Sequence, residues 1–91
     1  MKLTSQQVQE FIIAHYAPSL RGLSIDQVKV ERDFDLLARG VSDSLGVLEM
    51  VGAIEEHFGI SLDLEGLDAE QLTILGPLSD YVAKVGAPRS A

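Results

Sequence analysis

The chain has 91 residues and a mass of 9.8 kDa, which is the size of one small domain. It contains no cysteine, which excludes disulfides, thiolate metal sites and cysteine nucleophiles. Its formal net charge of -7 argues against nucleic-acid binding, because that affinity depends on clustered lysine and arginine.

The first predicted helix covers residues 5–16. Thr4 and Gln7 have the spacing of a capping box, and Pro18 ends the segment because the residue before a proline is pushed out of the α region. Side chains recur at helical spacing at Val8, Phe11, Ile12 and His15. The N-terminus lacks a secretory signal pattern, and no run reaches the ~18 apolar residues of a membrane span. We therefore expect a cytoplasmic protein without a membrane span.

Residues 17–42 show no regular periodicity, and Gly22 and Ser24 interrupt the segment. A structureless loop of this length is uncommon in a compact domain, so we expect at least one helical turn inside it. Three apolar side chains near its end are expected to fill the core, at Phe34, Leu36 and Leu37.

The strongest helix signal covers residues 43–58. Asp43 is a good N-cap, no proline interrupts the segment, and Gly59 is a natural stop. One face is predicted to pack in the core and carries Val47, Met50, Val51, Ile54 and Phe58. The opposite face mixes apolar and acidic residues, at Leu45, Leu48, Glu49, Gly52, Glu55 and Glu56. Two neighbouring leucines ringed by carboxylates indicate a contact surface.

Two features of this helix allow more than one interpretation. Gly46 and Gly52 each weaken a helix by up to about 1 kcal/mol relative to alanine, so they either permit a close approach or have no function. No lysine or arginine occurs between Arg39 and Lys84, whereas nine acidic residues do. That charge serves either solubility or the docking of a basic partner.

The last third of the chain completes an all-α domain. Residues 60–68 alternate like a strand, but we expect an extended connector because no partner strand is predicted. A short third helix is predicted over 68–72, and a last helix from Thr73 or Gly76 with an apolar stripe at Leu75, Leu78, Val82 and Val85. The prediction is a four-helix bundle over residues 1–86, with a long loop between helices one and two, and a flexible tail over 87–91.

Enzyme chemistry finds little support in this sequence. The two imidazoles, His15 and His57, lie on different predicted elements, and no metal-binding motif surrounds them. Ser44 and His57 lie about 3.6 turns apart on one helix, so they cannot meet as a catalytic pair. We expect no catalytic residue and no metal site, and the hypothesis of a small hydrolase is disfavoured.

Ser44 is the residue whose position is best suited to a covalent modification. A serine at the first turn of a helix projects outward, and a phosphodiester on its oxygen would lie near free backbone N–H groups and the positive end of the helix dipole. A simple capping role is the alternative.

Several segments together resemble the acyl and peptidyl carrier proteins. They are Asp33–Leu37, Gly40, Asp43–Leu45, Ile54–Ile60, Leu72–Ile74 and Asp80–Val82. The resemblance implies that Ser44 takes a 4′-phosphopantetheine arm from coenzyme A, transferred by a phosphopantetheinyl transferase. It implies that Asp43 supports this transfer, partly by helping to hold the transferase's Mg²⁺. It also implies that the mixed face, at Leu45, Leu48, Glu49, Gly52, Glu55 and Glu56, meets partner enzymes.

The resemblance further implies a carrier that does no chemistry itself, and a monomer is the default expectation. Its partners would be an acyl- or aminoacyl-loading enzyme and an acyltransferase, ketosynthase or condensation-type acceptor. Gly46 stands where many fatty-acid carriers have an acid, Gly52 where many have a bulky apolar residue, and two residues rather than one separate Gly40 from Asp43. The two glycines argue against recognition by fatty-acid synthase enzymes, and the two-residue spacing resembles that of discrete carriers for aminoacyl, D-alanyl or glyceryl-derived units. We therefore favour a free-standing carrier in a specialised pathway such as polyketide or nonribosomal peptide biosynthesis. The alternatives are fatty-acid or D-alanyl transfer, and an acidic helical adaptor without the arm.

Overall fold

The computed structural model describes residues 3–62, 73–85 and 87–88. The described elements are α1 (Ser5–His15), α2 (Ala17–Gly22), a 3₁₀ turn (Gln27–Lys29), α3 (Ser44–Phe58), β1 (Ile60–Ser61), α4 (Leu75–Val85) and β2 (Ala87–Pro88). The all-α prediction is confirmed. The short helix predicted over 68–72 lies outside the described residues. No helix among the described residues is long and apolar enough to cross a membrane.

The start of α1 is the predicted capping box. The Gln7 N–H donates to the Thr4 Oγ1 at 3.1 Å, and the Thr4 N–H donates to the Gln7 Oε1 at 2.9 Å. The helix ends at His15, and α2 begins at Ala17 with Pro18 in its first turn, where a missing N–H breaks no helical hydrogen bond. The expected helical turn inside 17–42 is therefore present. Tyr16 is the single residue that connects α1 to α2.

The bounds of α3 follow from its two caps. The Asp43 side chain caps the first turn, and Gly59 ends the helix in the left-handed conformation, at φ 64°. Four of the five predicted core residues are buried and Phe58 is half-buried, so the predicted core face is confirmed. The buried four are Val47, Met50, Val51 and Ile54.

The core forms where α1 packs against α4 and α3. Its fully buried side chains include Val8, Ile12, Leu75, Leu78 and Val82. The long loop is fastened to α4, since the Leu36 N–H donates to the Thr73 carbonyl at 2.7 Å and the Leu75 N–H to the Phe34 carbonyl at 2.9 Å.

The prediction that Leu37 of the loop fills the core was wrong. Phe34 and Leu36 are buried, but Leu37 is 36% exposed. The Asp35 carboxylate accepts hydrogen bonds from the N–H groups of Leu37 at 3.0 Å and Ala38 at 3.1 Å, which makes a tight turn there. The turn carries the Leu37 side chain away from the core that its two neighbours enter.

The strand pattern after α3 does have a partner, so the prediction of an unpaired connector was wrong at its start. β1 and β2 pair antiparallel, with Ile60 opposite Pro88 and Ser61 opposite Ala87. The partner comes from the segment predicted to be the tail, about 27 residues along the chain, which no local pattern indicates. The division at residue 86 and the flexibility of 87–91 stay predictions.

Candidate functional site

Ser44 is the first residue of α3, and its side chain is exposed. The loop before it is anchored by Val41, which is buried and whose N–H donates to the Leu36 carbonyl at 2.9 Å. Gly40 precedes this anchor with φ 72°, a left-handed turn that glycine adopts without strain. The chain thus enters the helix from a fixed, inward-facing residue and presents Ser44 outward.

Asp43 is the N-cap that the sequence predicts. Its Oδ1 accepts a hydrogen bond from the Gly46 N–H at 2.7 Å, and its carbonyl accepts from the Val47 N–H at 2.9 Å. Helix geometry leaves the N–H groups of Ser44 and Leu45 without an intrahelical acceptor. The carboxylate of Asp43 is therefore held at the first turn of α3, on the exposed residue directly before Ser44.

A third group at this site, Tyr16, is not predicted from the sequence. Its hydroxyl lies 3.0 Å from the Ser42 Oγ and 3.2 Å from the Gly46 carbonyl oxygen, and only 7% of the residue is exposed. The joint between α1 and α2 is thereby tied to the start of α3. The sequence offers only a tyrosine beside a helix break as a signal, and nothing in it indicates the partners.

Gly46 allows this arrangement. A side chain at this position would overlap the Ser42 Oγ and lie 3.1 Å from the Asp43 Oδ1. Of the two interpretations that the sequence leaves open, close approach is correct here, and the approaching group is the chain's own Ser42. Gly52 differs, because an added Cβ there would meet nothing within 4 Å.

Electrostatics keeps the Tyr16 hydroxyl protonated. Burial raises its pKa, and the negative charges of Asp43 and Glu49 raise it further, while the hydrogen bond with Ser42 acts in the opposite direction. A protonated hydroxyl can donate to either of the two oxygens beside it.

The mixed face of α3 is open to solvent over most of its length. Leu45 is 65% exposed and Leu48 is 53% exposed, and Glu49, Gly52 and Glu56 are exposed as well. Glu55 differs from these five, because it is half-buried and its Oε2 accepts the Leu62 N–H at 3.0 Å. We call Leu45, Leu48, Glu49, Gly52 and Glu56 the acidic face. Glu55 links the end of α3 to the segment that follows.

The carboxylates of the acidic face are not neutralised by ion pairs with described residues of the chain. Within the described part of the chain, no lysine or arginine forms an ion pair with a carboxylate of α3. Arg39, the last cation before the acidic stretch, lies instead over the Phe34 ring, at 4.9 Å from its centroid. A cationic surface could therefore approach this face without first displacing an internal partner.

The two histidines take part in packing. The His57 ring stacks on Phe11 with 4.5 Å between centroids, and the His15 ring lies 6.1 Å from Phe11. His57 lies at the opposite end of α3 from Ser44, about 20 Å away at 1.5 Å per residue. A serine–histidine pair therefore does not form on this helix. Among the described residues, no group of three or more His, Asp or Glu could hold a metal ion.

Comparison with known proteins places the chain beside a carrier protein. No family model matches the chain, and no solved structure matches it. The acyl carrier protein of Streptococcus thermophilus (strain CNRZ 1066) is 35% identical over 77 residues, which make up 85% of this chain and 88% of that protein. A stretch of 77 residues in a chain of 91 includes the whole of α3 wherever it begins.

Proposed function

This chain belongs to the acyl carrier protein family, and we propose that it holds an acyl or aminoacyl group as a thioester on a phosphopantetheine arm attached to Ser44. It delivers that group to partner enzymes and does no chemistry of its own. The observation that carries the proposal is the exposed Ser44 hydroxyl at the first position of α3, directly after the capping carboxylate of Asp43.

The residues around Ser44 fit such a modification. Its oxygen is exposed, and the N–H groups of the first helical turn, together with the helix dipole, favour a phosphodiester beside it. The side chain of Asp43, the residue directly before Ser44, is held in place by the Gly46 N–H. The arm supplies the thiol that this cysteine-free chain lacks.

The loading step is a phosphoryl transfer from coenzyme A. The Ser44 oxygen attacks the phosphorus that bears the pantetheine, and a serine O–P bond forms as the bond to the leaving phosphate breaks. The hydroxyl proton goes to a base of the transferase, and adenosine 3′,5′-bisphosphate leaves. Asp43 supports this step through the transferase's Mg²⁺.

Partner enzymes dock on the acidic face. Two exposed leucines supply apolar contact, and the carboxylates of Glu49 and Glu56 attract a basic surface. One helical face suits a transient partner, because weak encounters use small interfaces. Tethering raises the local concentration of the carried group at each enzyme visited. These partners are the transferase, a loading enzyme, and an acyltransferase, ketosynthase or condensation-type acceptor.

Within the family, we propose a role in polyketide or nonribosomal peptide biosynthesis. The support is the pair of residues between Gly40 and Asp43 and the glycine at position 52, which depart from the pattern of many fatty-acid carriers. Gly52 leaves the middle of the acidic face flat, which suits a partner surface of a different shape. Fatty-acid and D-alanyl transfer are the alternatives within the family.

The test is the intact mass of the purified protein after incubation with coenzyme A, Mg²⁺ and a phosphopantetheinyl transferase. We expect the mass to rise by one phosphopantetheine in the wild type and in Ser42→Ala, and to stay unchanged in Ser44→Ala. Ser42 is the matched control, since it lies two residues away in the same loop. Failure of the folded wild type to gain mass with several transferases would favour the adaptor without an arm.

A further inference from the structure

The peptide that carries Ser44 is fixed on both sides by one buried side chain. Tyr16 contacts the Ser42 Oγ, two residues before Ser44, and the Gly46 carbonyl, two residues after it. The Ser42 Oγ also donates to the Asp43 carbonyl at 3.2 Å. The residues that bracket Ser44 in sequence thus meet at a single hydroxyl.

That hydroxyl is itself firmly placed. Tyr16 lies between α1 and α2, its N–H donates to the Ile12 carbonyl at 3.1 Å, and its own carbonyl accepts the Leu20 N–H at 2.9 Å. It is almost completely buried, so its ring has little freedom to leave the site. Since α1 also packs against α4, the contact ties the start of α3 to the core of the bundle.

The absence of a side chain at Gly46 leaves room for the Ser42 hydroxyl beside Tyr16. Any Cβ there would take the space that the Ser42 Oγ occupies. Tyr16, Ser42 and Gly46 are therefore complementary in shape as well as in hydrogen bonding, and we call them the Tyr16 clasp.

We propose that Tyr16 is a positioning residue for the modification of Ser44. By holding Ser42 and Gly46, it keeps the intervening peptide in the one conformation that presents the Ser44 hydroxyl to the transferase. Tyr16 also makes the two serines of this loop differ in accessibility, because the Ser42 hydroxyl is hydrogen-bonded to Tyr16 while Ser44 is exposed. This inference rests on the proposed function.

The decisive variant is Tyr16→Phe, which keeps the buried ring and removes only the hydroxyl. If the clasp selects the competent conformation, its loss lowers the competent fraction, and the apparent KM for this chain rises in proportion. A single net hydrogen bond changes the equilibrium constant between the competent and the other conformations by about 2- to 10-fold, which sets the largest rise in KM that its loss can cause. We expect that rise in KM with kcat unchanged, measured with the transferase at a temperature where every variant is fully folded.

Thr4→Ala provides the control for stability alone. It removes the cap at the far end of α1 and weakens folding by a similar amount, without touching the start of α3. Its KM should equal that of the wild type. Combining Tyr16→Phe with Ser42→Ala should raise KM no further than the larger single effect, because the two changes break one contact.

A second measurement does not depend on loading at all. Amide hydrogen exchange at Gly46 and Val47, whose N–H groups donate to Asp43, should become about 2- to 10-fold faster in Tyr16→Phe and stay unchanged in Thr4→Ala. An unchanged exchange rate, or a KM that moves equally in both variants, would overturn the clasp. A wild type that is never loaded would instead refute the proposed function, and exchange would still decide the inference.

Discussion

Two glycines in one helix should respond in opposite ways to the same substitution. Alanine in place of glycine strengthens a helix interior by up to about 1 kcal/mol. At Gly52 the new methyl would meet nothing within 4 Å, so we expect Gly52→Ala to show that gain in full. For a domain of this size, it corresponds to a rise in Tm of about 4–8 °C.

At Gly46 the same methyl overlaps the Ser42 Oγ, which must rotate away. The Tyr16 hydroxyl then loses one of its two neighbouring oxygens, and disturbing a buried hydrogen bond costs about 1–3 kcal/mol. This cost exceeds or cancels the gain in helix propensity. We expect Gly46→Ala to be between neutral and about 2 kcal/mol destabilising, so the two alanine variants differ by about 1–3 kcal/mol.

Urea and thermal unfolding followed by circular dichroism at 222 nm measure both values. The overlap can be removed independently with Ser42→Ala. In that background, Gly46→Ala should be less destabilising than in the wild type, because only the 3.1 Å approach to the Asp43 Oδ1 then opposes the gain in propensity. Equal stabilisation by alanine at both glycines in the wild-type background would refute the overlap that places Ser42 against Gly46.

Two further predictions concern charge. The hydrogen bonds from Arg32 and Ser5 lower the pKa of Asp80, so the stability they add is present above the ordinary carboxyl pKa near 4 and is lost as pH falls through the lower native value. The free energy of unfolding should therefore fall more between pH 5 and pH 2 in the wild type than in Asp80→Asn. An equal fall of the free energy of unfolding in both proteins would contradict this. Glu49→Lys should slow partner reactions several-fold at low salt, whereas Glu10→Lys on α1 should not, with both Tm values within a few degrees; equal slowing would exclude the acidic face as the docking surface.

The helices could be predicted from sequence because their signals are local. The capping box at Thr4, the N-cap at Asp43 and the stop at Gly59 each act within one turn of the chain, and all three are present. The amphipathic pattern of α3 likewise separated its buried residues from its exposed ones. Ser44 was placed at a helix start by the same local reasoning.

The features that sequence did not predict depend on contacts between distant residues. Tyr16 meets Ser42 and Gly46 across 26 and 30 positions, and β1 finds its partner near the end of the chain. Leu37 was misplaced because an aspartate two residues earlier turns the backbone. Hydrophobicity alone does not show which of three neighbouring apolar residues such a turn exposes.

The Tyr16 clasp also changes what the departures from the carrier pattern mean. Ser42 is one of the two residues between Gly40 and Asp43, and its Oγ fills the space that a side chain at position 46 would need. We infer that the two departures are one structural feature, in which the Ser42 side chain favours glycine at position 46. Gly46 then reflects the chain's own packing rather than a preference for a particular partner. Gly52 has no such internal reason, because nothing lies within 4 Å of the position. Of the two glycines, Gly52 is therefore the one whose substitution tests the proposed docking on the acidic face, and Gly52→Ala should slow reactions with cognate partners while raising Tm.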